Sequence, residues 1–267
     1  MRQNEVFPYY RKCCMEMENI YSYLKTLYTD DYVSELAKYR GYINREQLDL
    51  IAEMQLGYCD INDISELGNM AEELGFISNN SFLLSNRFII PVYDIAGNLV
   101  SLIGYFPDSK KYITVPTPYF SKSCILFNFR QAYELSWREY DGYVILVEGI
   151  FDCLSLRAIG LPAVATMGSS VSSIKCDLLK LFSKVLAVPD NDKTGRKALN
   201  RYSHLGWKVP SNTTFLKLSG GNITLDNGEI LHCKDLDNFV SWYEKDDVRE
   251  ILLSYRGSHE DIEELVL

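Results

Sequence analysis

Three acidic residues stand where phosphate chemistry would use them. Glu148 directly follows the unbroken apolar run Tyr-Val-Ile-Leu-Val, and Asp190 and Asp192 directly follow Lys-Val-Leu-Ala-Val-Pro. Short unbroken apolar runs read as buried parallel strands, and ligands in open α/β sheets bind outside the carboxyl ends of such strands. Carboxylates on neighbouring strand ends can converge on a hard divalent cation, Mg²⁺ or Mn²⁺; Mg²⁺ usually takes one or two of them plus waters and phosphates. Gly149, next to Glu148, permits a tight turn and close backbone approach. After Asp192 come Lys193 and then Thr194-Gly195-Arg196, which opens a helix. A helix start with basic side chains beside it suits phosphate groups. An isolated acid-x-acid step is more often a turn residue and a helix cap, and Lys193 and Arg196 can also be solvated helix-start residues. Glu-Gly after one strand and D-x-D-x-x-G-R after another favour the metal centre.

The elements that must position these groups are legible around them. Residues 9–77 read as helical: Tyr23-Leu24, Leu27-Tyr28, Val33 and Leu36-Ala37 recur at helical spacing, as do Leu48, Ile51-Ala52 and Leu67, Met70-Ala71, Leu74. Gly41, Gly57 and Gly75 stand where helices should stop. From Asn86 the pattern becomes β-rich: RFIIPVYD and NLVSLIGYF form a hairpin around Ile95-Ala96-Gly97, and KKYITVP and CILFNF continue to about residue 140. From Gly142 strand alternates with helix: YVILV, FDCLSLRAI, LPAVAT, SSIKCDLLKLF, KVLAVP, TGRKALNRYSHL, and a strand near TTFLKL. That alternation argues for an open α/β sheet. The expected class is therefore α/β with an α+β leader. A helical and β-rich subdomain over 1–140 is followed by a parallel-sheet α/β domain over 141–245 and an acidic tail over 246–267.

Composition limits the rest. The chain has 267 residues, is 47% hydrophobic and carries a formal charge of -9, so a sizeable core is available and disorder is excluded. No apolar run approaches the roughly 20 residues of a membrane span, and the N-terminus lacks a signal-peptide core. Seven scattered cysteines fit a reducing, cytoplasmic compartment; with three His and no C-x-x-C pair, no zinc is expected. Net charge is -7 over residues 1–80, +2 over 81–140, +3 over 141–210 and -7 over 211–267. A basic centre between acidic ends fits a local phosphate-binding groove better than a surface that coats DNA.

VILVEGIFDCLSL, ATMGSS and VLAVPDNDKTGRKA together resemble the Toprim domain, over about residues 142–245. The resemblance implies that Glu148, Asp190 and Asp192 hold catalytic Mg²⁺. It also implies that Asp152 is the acid four residues after the Glu. Lys234-Asp235-Leu236-Asp237 resembles a late primase element whose acids reach a further metal, which makes Asp235 a candidate ligand and Asp237 an accompanying acid. The segments RFIIPVYDIAGNLVSLIGYF, KKYITVP and YFSKSCILFNFRQA resemble the N-terminal subdomain of DnaG-type primase cores, and LAKYRGYINREQLDLIAEMQLGY resembles the helical lead-in. On that match Arg87, Lys111, Lys122 and Arg130 face template and nucleotide phosphates, and Arg40 belongs to the lead-in, where it can equally cap a helix.

The resemblance implies a template-directed primer synthase that takes single-stranded DNA and nucleoside triphosphates. Other Toprim readings are a nuclease, or a non-catalytic DNA-binding or replisome adaptor. Ile103-Gly104-Tyr105 stands where many primases carry Gly-Gly-Arg. Neither a zinc-binding module nor a fused helicase is expected, so the compact pattern looks phage- or plasmid-like, in a bacterial cytoplasm. A replicative helicase or a separate template-recognition protein is the expected partner.

Overall fold

The computed structural model describes residues 3–28, 45–59, 61, 67–106, 109, 111–115, 120–192, 197–199, 207–219, 222–224, 230–233, 235–258, 260 and 262–266. The chain divides into two compact units, Met1–Ser121 and Lys122–Leu267.

The first unit begins with α1 (Gln3–Thr26), which presents Cys13, Met17, Ile20, Tyr21 and Leu24 at helical spacing to one core. The same core takes Ile89, Leu99 and Leu102 from a four-stranded antiparallel sheet, and Val115 just after its last strand. After α2 (Arg45–Glu53) come β1 (Gly57–Cys59), α3 (Gly68–Glu73) and a small ladder of β2 (Ile77–Ser78) with β3 (Ser81–Phe82). The sheet is completed by β4 (Arg87–Tyr93), β5 (Leu99–Phe106) and β6 (Lys111–Thr114), in the order β1-β4-β5-β6. β4 and β5 are the hairpin read from the sequence. Its turn is fixed by the Asp94 carboxylate, which accepts the N–H groups of Ala96 and Asn98 at 2.9 and 2.8 Å, and Tyr10 donates its hydroxyl to the same side chain. Most of β4 and β5 is buried, so both faces of the hairpin are covered.

The second unit starts from α4 (Phe129–Glu139) and alternates β7 (Tyr143–Val147), α5 (Ile150–Ala158), β8 (Ala163–Ala165), α6 (Ser173–Leu179) and β9 (Lys184–Val188). It continues through β10 (Thr213–Ser219), the antiparallel pair β11 (Asn222–Thr224) and β12 (Ile230–His232), α7 (Leu236–Trp242), α8 (Lys245–Ser254) and β13 (Ile262–Val266). Five strands form a parallel sheet in the order β13-β10-β9-β7-β8. All of β7 and β8 is buried, as unbroken apolar runs require when helices cover both faces. The acidic stretch from residue 246 buries Val248 and Leu252 of α8 and supplies β13 as the edge strand beside β10. Among the described residues no helix is long and apolar enough to cross a membrane.

The helical reading of Val33, Leu36-Ala37 and Arg40 lies outside the described residues, as do Lys193, Thr194-Gly195-Arg196 and much of TGRKALNRYSHL.

Candidate active site

The register of the parallel sheet brings the predicted acids to one end of it. Val147 closes β7 and pairs with Val188, which closes β9. Glu148 therefore leaves one strand beside the point where Pro189-Asp190 leaves its neighbour, and adjacent strands run about 4.8 Å apart. Glu148, Asp190 and Asp192 are all partly buried. The donors are carboxylate oxygens only, held at the carboxyl edge of the sheet, which is a hard donor set of the kind Mg²⁺ or Mn²⁺ accepts. Among the described residues no three His, Cys, Asp or Glu side chains are gathered closely enough to hold a metal by themselves. A Mg²⁺ site needs only one or two carboxylates, its other positions going to water and phosphate oxygens.

Behind Glu148 the structure builds a second, fully buried polar group. Asp152, in the first turn of α5, and Asp237, in α7, are 6% and 2% exposed. The Asp237 N–H donates to Asp152 Oδ1 at 2.9 Å, and the Ser155 hydroxyl donates to Asp237 Oδ1. Gly149 caps α5 with φ -88° and ψ 149°, extended geometry that any residue adopts. Its need for glycine comes instead from close approach: a Cβ there would lie 2.3 Å from Asp152 Oδ2. The sequence suggested a tight turn as well, but the carboxylate neighbour is the physical reason.

Asp235 has local work. Its carboxylate caps α7, accepting the Asn238 N–H at 3.0 Å. A capping oxygen satisfies one of the orphan donors at a helix start.

The predicted cations fall into separate places. Arg87 opens β4 and Lys111 opens β6; the register pairs Phe88 with Tyr105 and Phe106 with Lys111. Arg87, Phe106 and Lys111 thus lie in one cross-strand row at one end of the sheet. The Arg87 guanidinium sits 5.0 Å above the Phe106 ring, and its Nε is buried without a hydrogen-bond partner among the described residues. Gly104 makes room for the arginine stem, since a Cβ there would meet Arg87 Cδ at 2.6 Å. Exposed Lys111 is followed by Tyr112, whose ring lies 4.9 Å from that of Tyr105. Lys122, exposed overall, stands at the start of the second unit, and partial burial of its amine lowers its pKa. Arg130 is exposed on α4 and pairs with Glu134 one turn on, at 3.0 Å, an arrangement worth only a few tenths of a kcal/mol. Arg40, Lys193 and Arg196 lie outside the described residues.

One side chain of this region was not foreseen. Lys175 in α6 is 2% exposed and donates through Nζ to the Thr166 carbonyl. Its signal was the i, i+4 spacing to Leu179, which puts it on the apolar face of its helix.

Residues 145–240 match the Toprim-like family. Among curated proteins, the DNA primase of Thermotoga maritima is 36% identical over 117 residues, which are 42% of this chain and 20% of that protein. The DNA primase of Clostridium acetobutylicum is 30% identical over 211 residues, covering 75% of this chain and 34% of that protein. A crystal structure of the zinc-binding and RNA polymerase domains of Aquifex aeolicus primase superposes with a TM-score of 0.69 at 25% identity, over 91% of this chain and 60% of that one. The chain has the catalytic-core fold of a DnaG-type primase. That core includes the parallel sheet carrying Glu148, Asp190 and Asp192, and the antiparallel sheet carrying Arg87 and Lys111, so the match is not confined to the Toprim-like part. The chain spans about a fifth to a third of the length of the curated primases it matches.

Proposed function

We propose that this chain is the catalytic core of a template-directed RNA polymerase that makes short RNA primers on single-stranded DNA. The observation that carries the proposal is the placement of Glu148 and Asp190-Asn191-Asp192 at the ends of adjacent parallel strands within a fold whose match extends through the β-rich leader. A nuclease or an adaptor reading rests on the Toprim-like part alone and leaves the leader without a role. A DnaG primase catalytic domain of the same fold has been solved bound to single-stranded DNA, which supports a nucleic-acid template here.

Glu148, Asp190 and Asp192 are the residues that would hold Mg²⁺ or Mn²⁺. When bound, such ions neutralise triphosphate charge and favour attack by a hydroxyl in line with the leaving phosphate. The chain's own residues do the rest by positioning. Glu148 and the Asp190–Asp192 loop set negative charge at one edge of the sheet, while Gly149 lets α5 begin close behind Glu148. The buried Asp152–Asp237 pair ties α5 to α7. Asp235, in addition to its cap, stays a candidate for a further metal. Arg87, Lys111 and Lys122, with Lys193, Arg196 and Arg40, supply positive charge for template and nucleotide phosphates; these contacts fix register and orientation but carry no sequence information. Tyr112, beside Lys111, offers an exposed ring for stacking on a base. Arg130 contributes least to this set because Glu134 already occupies it. A replicative helicase or a template-recognition protein is the partner class such a core would work beside in a bacterial cytoplasm.

The test is direct: incubate the chain with single-stranded DNA, Mg²⁺ and labelled ribonucleotides. Short RNA supports the proposal. Cut DNA would mean a nuclease, and no product with retained DNA binding would mean an adaptor.

A further inference from the structure

A buried lysine is expensive. Taking an ammonium out of water costs several kcal/mol unless a partner charge compensates. Lys175 is 2% exposed, and its Nζ donates to a neutral acceptor, the carbonyl oxygen of Thr166. Among the described residues the ionisable groups that act on it are Lys122, a like charge, and Cys124. Burial first and Lys122 second push its pKa down to about 8. A methionine of similar reach would fill the same space without burying a charge, losing only the hydrogen bond to the Thr166 carbonyl, so stability alone does not account for the residue.

What the ammonium holds is informative. Thr166 is the residue that follows β8. Its N–H donates to the carbonyl of Val147 at 2.9 Å, and its hydroxyl lies 3.5 Å from the carbonyl oxygen of Glu148. The same hydroxyl donates to the carbonyl of Gly168. Between them, Met167 takes φ 57°, the left-handed region that a side chain of its size seldom adopts. Such a conformation persists where its surroundings over-determine it. Lys175, from the next helix, grips this turn at the residue that touches the backbone of Glu148.

We propose that Lys175 is a positioning residue of the carboxylate centre: through Thr166 its ammonium locks the turn after β8 against the end of β7 and thereby fixes where Glu148 projects. The proposal rests on the reading of Glu148 as a metal ligand. It separates two quantities that a structural role would move together. Removing the ammonium should leave the protein as stable or more stable, yet weaken cation binding. A simple charge effect has the opposite sign, because deleting a positive charge near a cation site strengthens attraction of the cation.

The experiment compares the full chain with Lys175→Met and Lys175→Arg. Free Mn²⁺ is titrated by electron paramagnetic resonance without nucleotide, and thermal unfolding is followed on the same samples. The expected result is Mn²⁺ binding at least fivefold weaker in Lys175→Met, an unfolding midpoint at or above that of the parent, and binding largely retained in Lys175→Arg, which keeps a cationic donor. Unchanged or tighter binding in Lys175→Met overturns the proposal, as does loss of its fold or an equal loss of binding in both variants. If the parent chain itself binds no Mn²⁺, the metal reading of Glu148 fails and the proposal fails with it. Parent binding with an unaffected Lys175→Met removes this proposal alone.

Discussion

Asp237 donates its backbone N–H to the carboxylate of Asp152 across 85 residues of sequence, and both side chains are buried. The bond staples the first turn of α5, which starts just after Glu148, to α7, which Asp235 caps. Ser155 completes the group by donating to Asp237. Asp237→Ala removes the charge-assisted hydrogen bond that the Ser155 hydroxyl donates to Oδ1 and is expected to cost about 1–3 kcal/mol. Urea denaturation checks this; a midpoint equal to the parent's would show that the group contributes nothing to stability.

Gly149→Ala follows from the same geometry. The backbone at 149 suits any residue, so strain in φ is not the cause, but the new Cβ would meet the Asp152 carboxylate at 2.3 Å. Displacing a buried, hydrogen-bonded carboxylate is expected to cost about 1–3 kcal/mol. In an Asp152→Ala background the same substitution should cost less than about 0.5 kcal/mol, because the obstacle is gone. Equal costs in the two backgrounds would contradict the close-approach account, and a double-mutant cycle reads the difference.

How much of this was legible in the sequence depended on distance along the chain. The acids were legible because each follows an unbroken apolar run, and sheet register then makes the ends of β7 and β9 neighbours. The hairpin of β4 and β5 was legible for the same local reason. The bond of Asp237 to Asp152 was not, since nothing in either segment names its partner. The burial of Lys175 is hidden because lysine is ordinarily a surface residue, although Leu179 four residues on marks its face as apolar. Asp235 stands one residue before a helical pattern, which is a capping signal, within a primase-like motif that implies a metal. Arg130 and Glu134 were readable as an i, i+4 pair. Strand β13 is a short segment with two adjacent acids, and only its pairing with β10 defines it.

Titration of Lys175 gives a stability prediction with a definite sign. Its pKa falls from 10.5 in the unfolded chain to about 8 in the fold. Between those values the unfolded state binds more protons, so this group makes stability rise as pH rises through that window. Below pH 8 the ammonium is present in both states and its burial is a full penalty, on the order of 3 kcal/mol. Lys175→Met should therefore be more stable than the parent at pH 7, with the gap narrowing from pH 8 to pH 10. Chemical denaturation at several pH values measures the gap, and a constant gap would contradict the assigned titration.

The basic residues predict a salt signature. Arg87→Ala and Lys122→Ala should each weaken binding of single-stranded DNA and flatten its salt dependence, because each lost phosphate contact lowers the slope by roughly 0.7 for single strands. Arg130→Ala should change the slope less, since Glu134 already pairs that guanidinium. Fluorescence anisotropy across a salt series decides it; unchanged slopes for both Arg87→Ala and Lys122→Ala would return those residues to the solvated surface.

On the proposed function, Glu148, Asp190 and Asp192 act together as the metal-dependent centre of a primer synthase. The most direct measurement is primer yield on single-stranded DNA with Mg²⁺ and labelled ribonucleotides, for the parent chain and for Glu148→Gln, Asp190→Asn and Asp192→Asn. Each amide keeps the side-chain shape and removes the charge that a hard cation requires. Short RNA is expected from the parent, and from each variant a yield at least about a hundredfold lower, on the order of 3 kcal/mol in the barrier, with unfolding midpoints close to the parent's. Parent-level primer yield from any of the three folded variants would contradict it.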